Sequence, residues 1–348
     1  MHFLQITAAM TPFENIQISF LDLVKKSMPA NLSLAEELSD VLNISKDSAY
    51  RRLRGETTLS LNEVQRLSNH FGVSLDTLLN TQNESVTFQY RSINNDSFTF
   101  KDYLNSILDN LRTINQYDIR NLTFLAKDIP PWHHFQFPRL SEFKCFFWMK
   151  TILKVPRYTD EKFEFDILPK DYIDIGLKIW EEYIKTPSLE VWSYETINIT
   201  LRQIEFFYDC GLFQNPSDSI TLLDYLEKLV RHVEHQAELG YKFHFGTSES
   251  GEEGNFQLYS NEVNIADQTI FFKMRNTRIT YLTHNNLNIL TTTHRGFCEG
   301  TENYIKNILS KSSLISSSSQ KERNRFFNRL LKKIDKTRAI LSRTLSQI

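Results

Sequence analysis

Between Ser33 and Asn80 the chain spaces its helix-start and helix-stop residues so closely that only short helices joined by tight turns fit. Ser33 followed by Glu36 reads as a capping box, in which hydroxyl and carboxylate each take an orphan amide at a helix start. Ala35, Leu38, Val41 and Leu42 recur at helical spacing and predict one buried face. Asn43-Ile44-Ser45 breaks that helix, and Ser45 predicts the N-cap of the next, which runs to Arg54 and stops at Gly55. Ser60 with Glu63 is another capping box, followed by Val64, Leu67 and Phe71 on one face and Gly72 as terminator. Ser74 predicts the cap of a last short helix burying Leu75, Leu78 and Leu79. Upstream, Ile16, Phe20, Leu23, Val24 and Met28 make a first amphipathic helix.

The second and third of these helices are separated by a minimal turn, the helix-turn-helix arrangement in which the later helix enters the major groove of DNA. Lys46, Asp47, Tyr50, Arg51 and Arg54 share one exposed face of that helix, with Ala49 and Leu53 opposite. Lysine and arginine pair with guanine edges or phosphates, and Tyr50 can hydrogen-bond a phosphate or touch a thymine methyl. The pattern resembles the phage-repressor (Cro/XRE-type) helix-turn-helix family in Leu34-Ala35-Glu36 before the turn, Ile44-Ser45 within it, Arg54-Gly55 after it, and the tail from Leu61 to Leu79. The resemblance covers residues 16–80. It implies that Lys46, Asp47 and Arg51 reach base edges, with Ser45, Ser48, Tyr50 and Arg54 nearer the phosphates. Arg52 and Leu53 depart from it, since many members carry an apolar residue at the first position and an acidic one at the second. A helical module that docks a protein partner instead of DNA is the alternative.

Charge qualifies this picture. From Ile16 to Asn80, seven lysines and arginines face eight aspartates and glutamates, so the head is close to neutral with its positive charge gathered on one helix. Non-specific attraction to DNA should be weak and salt-sensitive, and affinity should require two heads on one duplex. A homodimer is expected.

At 348 residues the chain leaves room beyond the head for one large domain or two small ones, and its formal charge of -2 marks neither a polybasic nor an acidic protein. Cys145, Cys210 and Cys298 have no metal or disulfide spacing. No secretory signal is evident and no run is long enough to span a membrane, so a cytoplasmic location is expected. No phosphate-cradling glycine motif and no nucleophile elbow occurs, so neither a cofactor nor an enzyme activity is expected. The fold class read from this pattern is α+β: an all-α five-helix domain over 14–80, a linker over 81–99, and a larger domain over 100–348. That domain reads as helical from 100 to 240, with a small antiparallel sheet and further helices from 241 to 348.

Within the linker, Val86–Tyr90 reads as one short strand. Phe100, Leu104, Ile107, Leu111 and Ile114 form a helix face, followed by an apolar stretch at Leu122–Leu125. Further helices are expected around Phe143–Lys150, Lys170–Ile184, Tyr194–Tyr208 and Ser219–Leu239. Short strands are expected at Phe256–Tyr259, Thr269–Met274, Ile279–Leu282 and Leu287–Thr291, with turns at Asn276 and Asn285-Asn286. Helices over Thr301–Leu309 and Glu322–Leu345 follow, the last burying Phe326, Phe327, Leu330, Ile334 and Leu341.

Four features of the larger domain carry candidate chemistry. His232 and His235 share a helix face, with Glu238 and His244 beyond; a metal would need a third ligand, and an exposed charged face explains the spacing equally well, so no metal is assigned. Thr291–Gly300 leads from strand into helix, where amides with His294, Arg295 and Glu299 form a candidate ligand site. Pro130–Phe137 offers paired imidazoles and aromatics, read as core around Trp132. The closing helix sets nine cations against Glu322 and Asp335, read as a solvated basic face packed on its own domain.

A second resemblance links Ile279–Leu287, Lys311–Ser316 and Lys321–Phe327 to bacterial regulators that join such a head to a large domain of undefined role. The expected function is a dimeric, sequence-specific transcriptional regulator binding double-stranded DNA. Its large domain is expected to dimerise and is a candidate sensor for a small-molecule effector of undefined chemistry.

Overall fold

The structure is a computed structural model that describes residues 16–28, 32–73, 86–90, 93, 98–117, 120–263, 265–274 and 277–346. The chain divides into two compact units, Met1–Thr87 and Phe88–Ile348.

The first unit contains α1 (Ile16–Ser27), α2 (Leu34–Leu42), α3 (Lys46–Leu53) and α4 (Leu61–Phe71). Phe20, Leu21, Val24, Leu38, Leu42, Ala49 and Leu67 form its core. Asn43 closes α2 in the left-handed region at φ 55, a conformation asparagine tolerates better than most side chains. Ser45 accepts from the Ser48 amide and starts α3, while Gly55 leaves it at φ 75. The capping box of Ser60 and Glu63 forms in full. That of Ser33 and Glu36 does not: Ser33 makes no side-chain cap, and the Glu36 carboxylate instead accepts from Lys46 Nζ at 2.7 Å. The helix expected after Ser74 lies outside the described residues.

The second unit is α+β, but its sheet is larger than expected and mixed. Its elements are β1 (Gln89–Tyr90), α5 (Phe100–Asn115), β2 (Arg120–Ala126), α6 (Pro131–Phe135), α7 (Pro138–Phe147), α8 (Lys170–Ile184) and β3 (Ser188–Ser193). They continue with α9 (Asn198–Asp209), α10 (Asp218–Leu239), β4 (Phe256–Asn261), β5 (Thr269–Met274), β6 (Thr277–His284) and β7 (Asn288–Thr292). The chain then adds α11 (Arg295–Leu309), β8 (Ser312–Leu314) and α12 (Gln320–Leu345). The sheet order is β1-β7-β6-β5-β2-β3-β4-β8. β2, β3 and β4 run parallel, and the other pairs are antiparallel.

The span from 100 to 240 is therefore not purely helical, because β2 and β3 enter it as central strands. Both lie in the middle of the sheet with helices over its faces, so they lack the apolar–polar alternation of a half-exposed strand. Alternation survives only as a choice between two cores. Leu122, Phe124 and Ala126 join the large core beneath α5, α7, α8, α10 and α12, whereas Leu125, Leu189 and Val191 pack with Cys298, Ile305 and Ile308 under α11. The short strand read at Val86–Tyr90 is an edge strand pairing Gln89 with Thr291 and Tyr90 with Leu290. Asn285 and Asn286 take positive φ at the β6–β7 turn. Among the described residues, no helix is long and apolar enough to cross a membrane.

Buried histidines make this unit acid-sensitive. His232 is 6% exposed, with Nε2 3.0 Å from the Phe243 carbonyl oxygen, and burial pushes its pKa down to about 4. His134, fully buried, is shifted in the same direction by burial. The unfolded chain takes up these protons first, near its ordinary pKa of ~6.5, so stability present above that pH is lost as pH falls toward 4. Melting curves of the wild type should fall steeply between pH 6.5 and 4.5. A His232→Gln variant should lose on the order of 2 kcal/mol less stability across that window, and an unchanged pH dependence would sink the assignment.

Candidate nucleic-acid interface

Three anchors set the roll of α3. Ala49 is fully buried in the core of the head. Arg52, at i+3 from Ala49, turns inward: its Nη2 donates to Glu63 Oε1 at 2.7 Å and its Nη1 to the Ser48 carbonyl at 3.2 Å, with only 14% of the side chain exposed. Gln17 of α1 donates to the carbonyls of Arg52 and Thr57, both at 2.8 Å, and accepts from the Leu59 amide at 2.7 Å. One amide side chain thereby engages three backbone groups, one in the last turn of α3 and two in the loop after it. Burial by itself would raise the Glu63 carboxyl, but the Ser60 amide and the Arg52 guanidinium hold it below its ordinary value.

With α3 so fixed, the Lys46, Asp47, Tyr50, Arg51 and Arg54 side chains all face solvent, as does Ser45, with Ser48 half-buried. The structure thus brings all seven sequence-identified residues onto one short helix and its cap. It also shows what the sequence reading missed, namely that each cation has a carboxylate partner. Lys46 donates to Glu36 at 2.7 Å, Arg51 Nε lies 3.3 Å from Asp47, and Arg54 Nε donates to Glu56 at 2.6 Å. These hydrogen bonds raise the Lys46 and Arg54 pKa values and lower those of Glu36 and Glu56. Exposed pairs of this kind add little stability, so they are readily exchanged for other partners.

This geometry is that of a helix-turn-helix unit whose second helix, α3, faces outward. Residues 19–97 match the BetR domain, a family of DNA-binding, helix-turn-helix-like domains, which gives this part of the chain a DNA-binding, regulatory role. No curated protein and no solved structure matches the chain.

The other candidates of the second unit resolve differently. His294 accepts the Phe297 amide on Nδ1 at 3.2 Å and so caps α11, while Arg295 pairs with Glu299 at 2.9 Å. The three residues stand together at the helix start and are engaged by one another and the backbone. His232 points inward to the Phe243 carbonyl, and His235 pairs with Glu249 at 3.1 Å. No cluster of three or more metal-ligating side chains occurs among the described residues. Trp132, His133 and His134 are buried.

Two features here had no clear sequence signal. Glu190, fully buried on β3, accepts from Trp192 Nε1 at 2.7 Å and from Tyr183, and lies 2.8 Å from His133 Nε2. Burial alone would raise its pKa, but the His133 ring and these donors hold it below its ordinary value. Lys242, also buried, donates to Thr186, Ser188 and Asn255 beside it, and burial brings its pKa down to about 7. A lone glutamate in the run Leu189–Trp192 was the available hint. The second feature is a cleft between α5 and the sheet. Its apolar part is lined by Ile107, Leu111, Phe124 and Tyr281, and it continues past Tyr103 and Leu287 into an outer cleft of about 580 Å³ bordered by Asp128 and Gln203.

Arg52 and Arg51 should separate cleanly by mutation. Arg52→Ala strands Glu63 and should destabilise the head by about 1–3 kcal/mol, whereas Arg51→Ala should stay within about 0.5 kcal/mol. Hydrogen exchange of peptides covering 34–73 measures both, and equal protection in the two variants would refute the anchoring role.

Proposed function

We propose that the protein is a sequence-specific transcriptional regulator that binds duplex DNA as a homodimer. The outward face of α3, fixed by the inward turn of Arg52, carries this reading. Arg51 and Lys46, supported by Asp47, read base edges in the major groove. Ser45, Ser48, Tyr50 and Arg54 position the helix on the phosphates. Because Glu36, Asp47 and Glu56 neutralise this face, a single head attracts DNA weakly, and paired heads on two half-sites supply the affinity. The second unit serves dimerisation and senses an effector. Support for sensing comes from the outer cleft that continues the apolar pocket beside α5: its volume of about 580 Å³ lies in the range of small-molecule sites, and its walls mix aromatic and carboxamide side chains. The enclosed Glu190 cluster is assigned a structural role, since its carboxylate is engaged by His133 Nε2, Tyr183 and Trp192 away from solvent.

Selection of bound sequences from random DNA should return a site with two related half-sites about one or two helical turns apart. Lys46→Ala with Arg51→Ala should weaken binding to that site by about 2–5 kcal/mol and leave the fold intact. An unaltered preference for the site would move recognition off α3, and a single asymmetric half-site would remove the dimer. A melting screen should find small molecules that stabilise the wild type but not Ile199→Trp, which narrows the outer cleft. Ligands that stabilise both equally would place sensing elsewhere.

A further inference from the structure

The nine cations of α12 fall into two groups. Four are used by their own unit. Arg323 donates to the Ile315 and Ser318 carbonyls, Arg329 lies over the Tyr194 ring at 4.3 Å, Lys333 donates to the Tyr194 carbonyl at 2.6 Å, and Arg338 pairs with Glu227 at 2.7 Å. The other five, Lys321, Arg325, Lys332, Lys336 and Arg343, are all exposed and have no ion-pair or hydrogen-bond partner among the described residues. At ~100° and ~1.5 Å per residue, these five fall within roughly 60° of arc and along about 33 Å of helix. No acidic residue of the helix lies within that arc: Glu322 sits to one side, and Asp335, on the other, is tied to Arg338 at 2.7 Å.

We propose that this strip is a second DNA contact, binding the phosphate backbone of a duplex without reading sequence. The inference rests on the DNA-binding reading of the head and adds what the head lacks. On α3 every exposed cation is matched by a carboxylate, whereas on α12 five are left unmatched in a row. A straight rod of that length spans about one turn of duplex, along which phosphate charges recur every ~1.7 Å of axis. Insertion into a membrane surface is disfavoured, because the apolar face of α12 (Phe326, Phe327, Leu330, Ile334 and Leu341) is already buried in its own core. Self-pairing of two such helices through the strip would set like charges against each other.

The test uses the full chain and a fluorescein-labelled duplex of random sequence, with anisotropy read between 50 and 200 mM KCl. The charge-neutral variant Arg325→Gln, Lys332→Gln and Lys336→Gln should flatten the slope of log K against log salt by about 2.7, at ~0.9 per cation, and weaken binding on the order of 10²-fold at 0.1 M salt. Should that variant melt early, Lys321→Gln with Arg343→Gln is read in the same way, with an expected slope change of about 1.8. An unchanged slope and affinity would overturn the proposal. So would vesicles containing phosphatidylserine that bind the wild type and not the variant while DNA binding stays the same, which would make the partner a membrane surface. On a selected site, the strip variant should lose affinity for site and random duplex alike, keeping their ratio, whereas Lys46→Ala with Arg51→Ala should lose the ratio. A strip variant that behaves as wild type beside an impaired head variant sinks only the present inference. The reverse result sinks only the reading of the head.

Discussion

Arg52 shares a helical face with Ala49 and Leu53, so its guanidinium is carried toward the core, where Glu63 meets it at 2.7 Å. A largely dehydrated pair like this contributes little net stability, yet losing one partner strands a charge, so the geometry is held firmly. The same Glu63 carboxylate closes the capping box at the start of α4. One acidic group thus fixes where α4 begins and how α3 is rolled about its axis. Every outward residue of α3 takes its place from that roll, and Gln17 reinforces it by tying α1 to the loop that follows.

In the second unit the corresponding constraint is register. A strand such as β3, buried on both faces, gains almost as much from apolar burial in a slipped register as in the right one. Glu190 removes that degeneracy. Its carboxylate is satisfied where His133 and Tyr183 meet it beside its strand neighbour Trp192, and a shift of one residue would carry Glu190 and Trp192 together toward Leu125, Phe271 and Cys298, away from the His133 and Tyr183 donors. Lys242 performs a similar role at the beginning of β3, where its ammonium bridges Thr186, Ser188 and Asn255 across neighbouring segments. These buried polar groups specify one arrangement of the central parallel strands more than they add to its stability.

Charge is distributed by the same logic of partnership. Formal charge counts on α3 and α12 both suggest basic helices, but the tertiary partners differ. Glu36 and Glu56 come from outside α3 and neutralise it, while the partners of Arg323, Lys333 and Arg338 draw in the flanks of α12 and leave one strip clear. The net charge of -2 over the chain conceals both facts.

How much of this was legible in advance depended on how local the cause was. Helix starts and stops in the head follow from neighbours in the chain: Ser45 reaching the Ser48 amide, Ser60 with Glu63, and Gly72 at positive φ. The outward face of α3 was readable from periodicity alone, and so was the buried face of α12. The failures share one origin. Glu36 abandoned its local cap because a lysine ten residues later offered a charged partner, and β2 and β3 were missed because helices on both sides erase the alternation that marks a strand. The cleft beside α5 and the clear strip of α12 likewise exist only through distant packing, since a cavity wall and an unpaired charge are each defined by what other segments do or do not bring near. Local hydrogen bonding and periodicity therefore settled the helices of the head and the outward face of α3, while long-range pairing of strands and charges decided the sheet, the locking of α3 by Glu63 and which cations remain free.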